Sequence, residues 1–267
     1  ISVIARARAR LSPSSRRSAR GLMVIGASFI GPASLEPAAP VRVTAGLAGS
    51  LSSFARKGML KPKYARLFWR YLWRRLLTGS GHRWETDGPV FFGRGLHLQT
   101  GRRARIRFGR WVWIGDGTKI RCHEGEVEIG PKTVFGQECT ISAYRRVRIG
   151  AECVIADRTM FIDFDHGVVD VEKPIRDQGI YMEDVIIGSN VWIGYGAAIL
   201  RGVRVGDNSV IGTNSVVTRD VPANAVVGGV PARILRMREA PQDLKWPDPV
   251  EPEPGTPGVM ALPSFSD

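Results

Sequence analysis

The chain has 267 residues and 43% hydrophobic side chains, enough for one large domain or two small ones with a real core. Its net charge of +13 suggests a polyanionic partner at first. Yet residues 1–86 hold 16 Lys/Arg against Glu36 and Glu85, leaving the other 181 residues near −1, so nucleic-acid binding is not expected of the main domain.

Residues 1–58 are rich in Arg, Ser, Ala, Gly and Pro without sustained periodicity, and read as a disordered or non-native extension. Within them "GLMVIGASFIG" (21–31) follows an Arg-rich start, as an export signal would, but no small-residue cleavage site follows it. The first residue is Ile1, and Met23 and Met59 are candidate starts. No apolar run approaches the ~20 residues of a membrane span.

Residues 59–86 form a basic segment with a helix at its centre. Tyr64, Leu67, Phe68, Tyr71, Leu72 and Leu76 recur at three- and four-residue spacing with arginines between them, until Gly79 and Gly81 end the pattern. Such a helix, bearing Trp69 and Trp73, could lie on an anionic membrane through residues 61–78, or pack against its own domain or a neighbouring subunit.

From Phe92 to Val217 the chain counts in sixes. Ile187, Ile193, Ile199, Val205, Ile211 and Val217 lie six apart without interruption, and most have a small or β-branched residue two positions earlier. Earlier triplets keep the same beat: Phe108, Ile114 and Ile120; Ile129, Phe135 and Ile141; Ile149, Ile155 and Phe161. A period of six fits neither a helix nor a long strand, but it fits a short strand followed by a turn. Three such strands close a triangular coil, and stacked coils bury one another. The predicted fold is an all-β, left-handed parallel β-helix over residues 87–238, with an N-terminal helix and a short C-terminal helix. Residues 239–267, Pro-rich and at first acidic, read as a disordered tail.

Cys122, Cys139 and Cys153 match no metal-ligand spacing and read as small core residues. The beat fails most visibly between Phe161 and Ile187, twenty-six residues apart, where "FIDFDHG" opens an extruded loop. That loop carries His166, preceded by Asp163 and Asp165. Imidazole titrates near neutrality and can take a proton from a hydroxyl, and a neighbouring carboxylate could orient the ring. His82, His97 and His123 lie at a helix end, an early strand and a corner bulge.

Residues 108–236 resemble the hexapeptide-repeat O-acetyltransferases, in the branch holding maltose, galactoside, nodulation-factor and polysaccharide acetyltransferases. The resemblance rests on "VRIGAECVIADRTMFIDFDH" (147–166) and on "VIIGSNVWIGYGAAILRGVRVGDNSVIGTNSVVTRDVPANAVVGGVPARILR" (185–236). It implies acetyl-CoA as co-substrate and a homotrimer with active sites between subunits; no metal is expected, and the three cysteines suit a reducing cytoplasm, with the inner membrane face open to the basic helix. It implies His166 as general base, Trp192 as a wall of the acceptor or pantetheine channel, and an amide near Tyr195 as oxyanion donor. Tyr195 (through its backbone), Thr213, Thr218, Arg219, Arg233 and Arg236 match coenzyme A positions. Gly136 and Tyr144 stand where sugar-specific members carry Asn and Asp. The implied acceptor is therefore a sugar, polysaccharide or glycolipid hydroxyl, with neither galactoside nor maltose named. A non-catalytic scaffold, or transfer of a longer acyl group or to an amine, remain the rival readings.

Overall fold

The computed structural model describes residues 69–73 and 84–239. The expectations for residues 1–58 and for the tail beyond 239 lie outside the described residues, as does most of the basic segment.

Three parallel sheets build the solenoid. The first face stacks Trp84–Thr86, Arg105–Phe108, Glu126–Ile129, Arg146–Ile149, Val185–Ile187 and Arg204–Val205. The second stacks Val90–Phe92, Val112–Ile114, Val134–Phe135, Val154–Ile155, Trp192–Ile193, Val210–Ile211 and Ala225–Gly229. The third stacks His97–Thr100, Lys119–Cys122, Thr140–Ala143, Met160–Ile162, Ala198–Ile199 and Val216–Val217. Each coil visits the faces in turn, giving six coils.

The six-residue beat becomes columns of paired residues. Phe92, Ile114, Phe135, Ile155, Ile193, Ile211 and Val227 follow one another in register on the second face. Leu98, Ile120, Ile141, Phe161, Ile199 and Val217 do so on the third. All but Leu98 are buried, and each such side chain contributes about 1.5–3 kcal/mol of transfer free energy. The three cysteines belong to this interior, and burial pushes the Cys122 and Cys139 thiols up to about 11, so they are neutral core groups.

The solenoid begins one coil before the triplet at Phe108. Thr86, Phe92 and Leu98 already keep the beat, with Trp84–Thr86 paired to Ile106–Phe108. A polar Thr86 and a ten-residue gap from Leu98 to Phe108 hide this coil in the sequence. Residues 69–73 are helical; Tyr71, 1% exposed, joins the core, while Trp69 and Trp73 stack on each other on the outside. This contact is the expected packing of the helix on its own domain. Among the described residues no helix is long and apolar enough to cross a membrane.

Corners obey their own rule. Between the first and second faces a column of residues takes left-handed backbone: Trp111, Lys132, Glu152, Asn190, Asn208 and Asn224, with φ from 54° to 64°. Between the second and third faces Gly95, Gly117, Glu138, Arg158, Gly196 and Asn214 do the same. In this geometry the amide of Lys132 reaches the carbonyl of Arg110, and that of Asn190 reaches Ala151, so each corner hangs on the coil before it. Asn adopts this conformation at less cost than most residues, and Asn190 Nδ2 donates to Asn208 Oδ1 of the next coil at 2.8 Å.

The short C-terminal helix is not formed at the end of the solenoid. Ala232–Met237 is a strand, antiparallel to Ala225–Gly229. The last coil leaves the backbone of Ala225–Gly229 unpaired on one side, and a chain that turns at Gly229–Pro231 meets that edge before it can wind into a helix.

Candidate active site

The chain leaves the third face after Met160–Ile162 and rejoins the first at Val185–Ile187. In between it forms a two-stranded arm: Phe164–His166 pairs antiparallel with Ile180–Met182, and His166 lies opposite Ile180. Beyond it, the amide of Gly167 donates to the carbonyl of Gly179 at 2.9 Å. A Cβ on Gly167 would meet the carbonyl oxygen of Gln178 at 2.5 Å, so the close approach of the two strands demands glycine directly after the histidine.

Asp163 is 0% exposed, and its carboxylate accepts the amide hydrogens of Tyr144 and Arg145, each at 2.8 Å. Burial pushes its carboxyl up, against the downward pull of those amides. Both oxygens are thus spent on the coil below, making Asp163 a strut under the arm. Asp165 sits between Phe164 and His166 in a strand, where neighbours point to opposite sides. Its carboxylate accepts from Arg201 Nε at 2.8 Å. The expected orienting carboxylates therefore engage the coils on either side of the arm. Among the described residues the ring nitrogens of His166 make no hydrogen bond, and its imidazole meets the edge of Phe164 at 6.3 Å between centroids.

That contact ends a ladder of rings. His123 stacks on Tyr144 at 4.3 Å, and Tyr144 meets Phe164 edge-on at 4.7 Å. One stacked and two edge-on contacts carry the packing of three coils up to His166. His123, read as a corner residue, is the foot of this ladder. Tyr144 fills the position where an Asp was the family pattern.

The other expected site residues fall into three groups. Thr218 and Arg219 follow Val216–Val217 at the corner from which the arm departs two coils earlier. Tyr195 and Thr213 lie at the opposite edge of the third face, where the amide of Asn214 donates to the Tyr195 carbonyl at 2.7 Å. The Tyr195 hydroxyl is held by Arg158 at 2.9 Å, a partner that sequence spacing did not disclose. Trp192, 56% exposed, stands on the outside of the second face in a column running Trp113, Val134, Val154, Trp192, Val210, Val226. Arg233 and Arg236 extend that face: Arg233 pairs with Gly228 and Arg236 with Val226, with Leu235 as a bulge between them. In a regular strand a spacing of three would place the arginines on opposite sides. The bulged residue restores them to one side, beside the apolar column. A single chain thus separates His166 from Tyr195, Trp192 and the arginine pair. Among the described residues no group of three His, Cys, Asp or Glu side chains could hold a metal.

The family model described as bacterial transferase hexapeptide (six repeats) matches residues 184–219. An Escherichia coli protein named "Putative lipopolysaccharide biosynthesis O-acetyl transferase" is 33% identical over 160 residues, which cover 57% of this chain and 74% of that protein. The chain belongs to the hexapeptide-repeat acetyltransferases. A probable acetyltransferase of Mycobacterium tuberculosis is 37% identical to this family member over 186 residues, 69% of the chain. The chain spans 60% of that relative's length. Among solved structures, the N-acyltransferase AntD of Bacillus cereus, crystallised with dTDP and coenzyme A, superposes with a TM-score of 0.53 at 19% identity. It covers 62% of this chain and 90% of its own, and attests the shared fold.

Proposed function

We propose that the chain is an acetyl-CoA-dependent O-acetyltransferase acting on a hydroxyl of a sugar, polysaccharide or glycolipid, with His166 as general base. The observation that carries this reading is the arm itself: between two coils the solenoid extrudes one strand pair and presents an imidazole whose nitrogens bond none of the described residues. In the proposed step, His166 takes the proton of the acceptor hydroxyl as its oxygen attacks the thioester carbonyl carbon. The C–S bond then breaks, and the imidazolium returns the proton to the departing thiolate, leaving an acetyl ester and coenzyme A. A corner amide at Tyr195 would stabilise the oxyanion. The names of the acetyltransferase relatives support acetyl as the group moved, and the lipopolysaccharide relative supports a glycan acceptor.

Arg233 and Arg236, side by side on the last strand, would receive the coenzyme A phosphates. Replacing both with Ala is expected to weaken coenzyme A binding about 10–100-fold by calorimetry, the value of one charge-assisted bond. Unchanged affinity would move the phosphate site elsewhere.

The apolar outer column of the second face supports assembly with further copies of this chain. A trimer would bring His166 of one copy toward the Tyr195 edge of another, uniting groups that one chain keeps apart. Trp192→Glu places a charge in the middle of this column. It is expected to turn trimers into monomers in light scattering and to remove activity with them; a trimer of full activity would exclude this face from the interface.

The reading as a whole is tested by thiol release from acetyl-CoA and longer acyl-CoAs over glycans, glycolipids and amino sugars. Acetyl-specific release with hydroxyl acceptors is expected. Release only with amines or longer chains would overturn the acceptor or donor assignment, and none with any pair would favour the scaffold.

A further inference from the structure

Arg201 stands at the corner of the coil stacked directly on the one that sends out the arm, where Leu200 and Gly202 continue the third face toward the first. Its side chain is only 16% exposed, unusual for an arginine. Nε donates to Asp165 Oδ2 at 2.8 Å, and one terminal nitrogen donates to Glu183 Oε2 at 3.2 Å. Asp165 belongs to the outgoing strand and Glu183 to the end of the returning one, whose amide donates to the Asp163 carbonyl at 2.9 Å. One guanidinium therefore grips both roots of the arm.

The coil below holds the arm differently. Asp163 accepts backbone amides there, and Asp184 forms ion pairs with Arg145 and Arg146 at 2.7 and 3.7 Å. From the coil above, Arg201 supplies the side-chain grip. Alternation in the strand makes this grip matter for chemistry. Fixing Asp165 on one side fixes the rotation of the strand, and hence the direction in which His166 leaves the other side. The rigid fork of a guanidinium, unlike an ammonium, can hold two carboxylates at set angles.

We propose that Arg201 is a positioning residue for His166: it locks the arm to the following coil so that the imidazole is presented in one orientation. The inference rests on the reading of His166 as the base. Arg201 touches neither substrate nor the reacting atoms.

The test compares Arg201→Met, Arg201→Lys and His166→Ala with the parent protein, using hydrogen exchange and thiol release from acetyl-CoA with water as acceptor and acetyl-CoA in excess. In Arg201→Met the Gly167 and Glu183 amides are expected to exchange about tenfold faster or more, with the amides of the third face unchanged. Thiol release at saturating acetyl-CoA is expected to fall about 10–100-fold, the effect of a displaced catalytic group. The KM for acetyl-CoA should stay within about twofold, since uniform binding is untouched. Arg201→Lys keeps one ion pair and should recover part of both effects. Unchanged exchange in the arm overturns the inference, as does protection lost throughout the solenoid in both Arg201 variants; exchange alone decides where release is too slow to detect. His166→Ala should leave arm protection intact, so undiminished release in that variant sinks the base assignment independently of the Arg201 result.

Discussion

Replacing His166 with Ala is expected to lower acetyl-CoA-dependent thiol release about 10²–10⁴-fold, the range general-base catalysis supplies. The fold should not register the change. His166 is exposed, bonds no described residue through its nitrogens, and meets the edge of Phe164 with its ring. Coenzyme A affinity by calorimetry should be that of the parent, because Arg233 and Arg236, proposed to receive the phosphates, lie on the second face, away from the arm. The loss should fall on kcat and leave KM for acetyl-CoA in place, as expected for a group that acts in the transition state. Turnover at the parental rate would show that another group takes the proton.

Asp163→Ala is expected to cost stability on a different scale. The carboxylate is the acceptor for two backbone amides in a site closed to water. Its removal strands both donors at about 1–3 kcal/mol each, a total of roughly 2–6 kcal/mol. For a domain of this size that lowers the melting temperature by roughly 4–24 °C. Asp163→Asn is no rescue, because its amide would present hydrogens to one of the two N–H groups. Activity should be lost as well, since Tyr144 is both a tenant of this site and a rung of the ladder under His166. A denaturation midpoint within experimental error of the parent would show that water replaces the carboxylate and that the strut is dispensable.

These two neighbours, three positions apart in "DFDH", illustrate what a linear reading can extract. His166 was legible because the loop that holds it interrupts a beat, and a beat is a property of the sequence itself. The role of Asp163 depends on Tyr144 and Arg145, 19 and 18 positions earlier, which only stacking brings near. Arg201 is 36 positions from Asp165 and carries no mark in the sequence, where it reads as one more corner residue. The interior columns were legible because aliphatic side chains at a fixed interval have one place to go. The first coil was not, since Thr86 breaks the apolar pattern and a longer corner shifts the count. At the other end "VPARILR" holds good helix formers, yet the open edge of Ala225–Gly229 outweighs propensity. Arg233 and Arg236 share a side of this strand only because Leu235 bulges.

The left-handed corners make the two ends of the solenoid unequal. In the third and fourth coils these positions hold Lys132, Glu138, Glu152 and Arg158, while the fifth and sixth use Asn190, Gly196, Asn208 and Asn214. A long side chain in this geometry costs about 1–2 kcal/mol, which Asn and Gly largely avoid. The exposed pairs Lys132–Glu152 and Glu138–Arg158 return less than that, typically under about 1 kcal/mol. Coils touch only their neighbours, so the molecule can unzip from one end by steps. Unzipping from the N-terminal side should run most easily through the third and fourth coils and slow where Asn and Gly corners resume. That seam lies between the fourth and fifth coils, where the arm with His166 emerges.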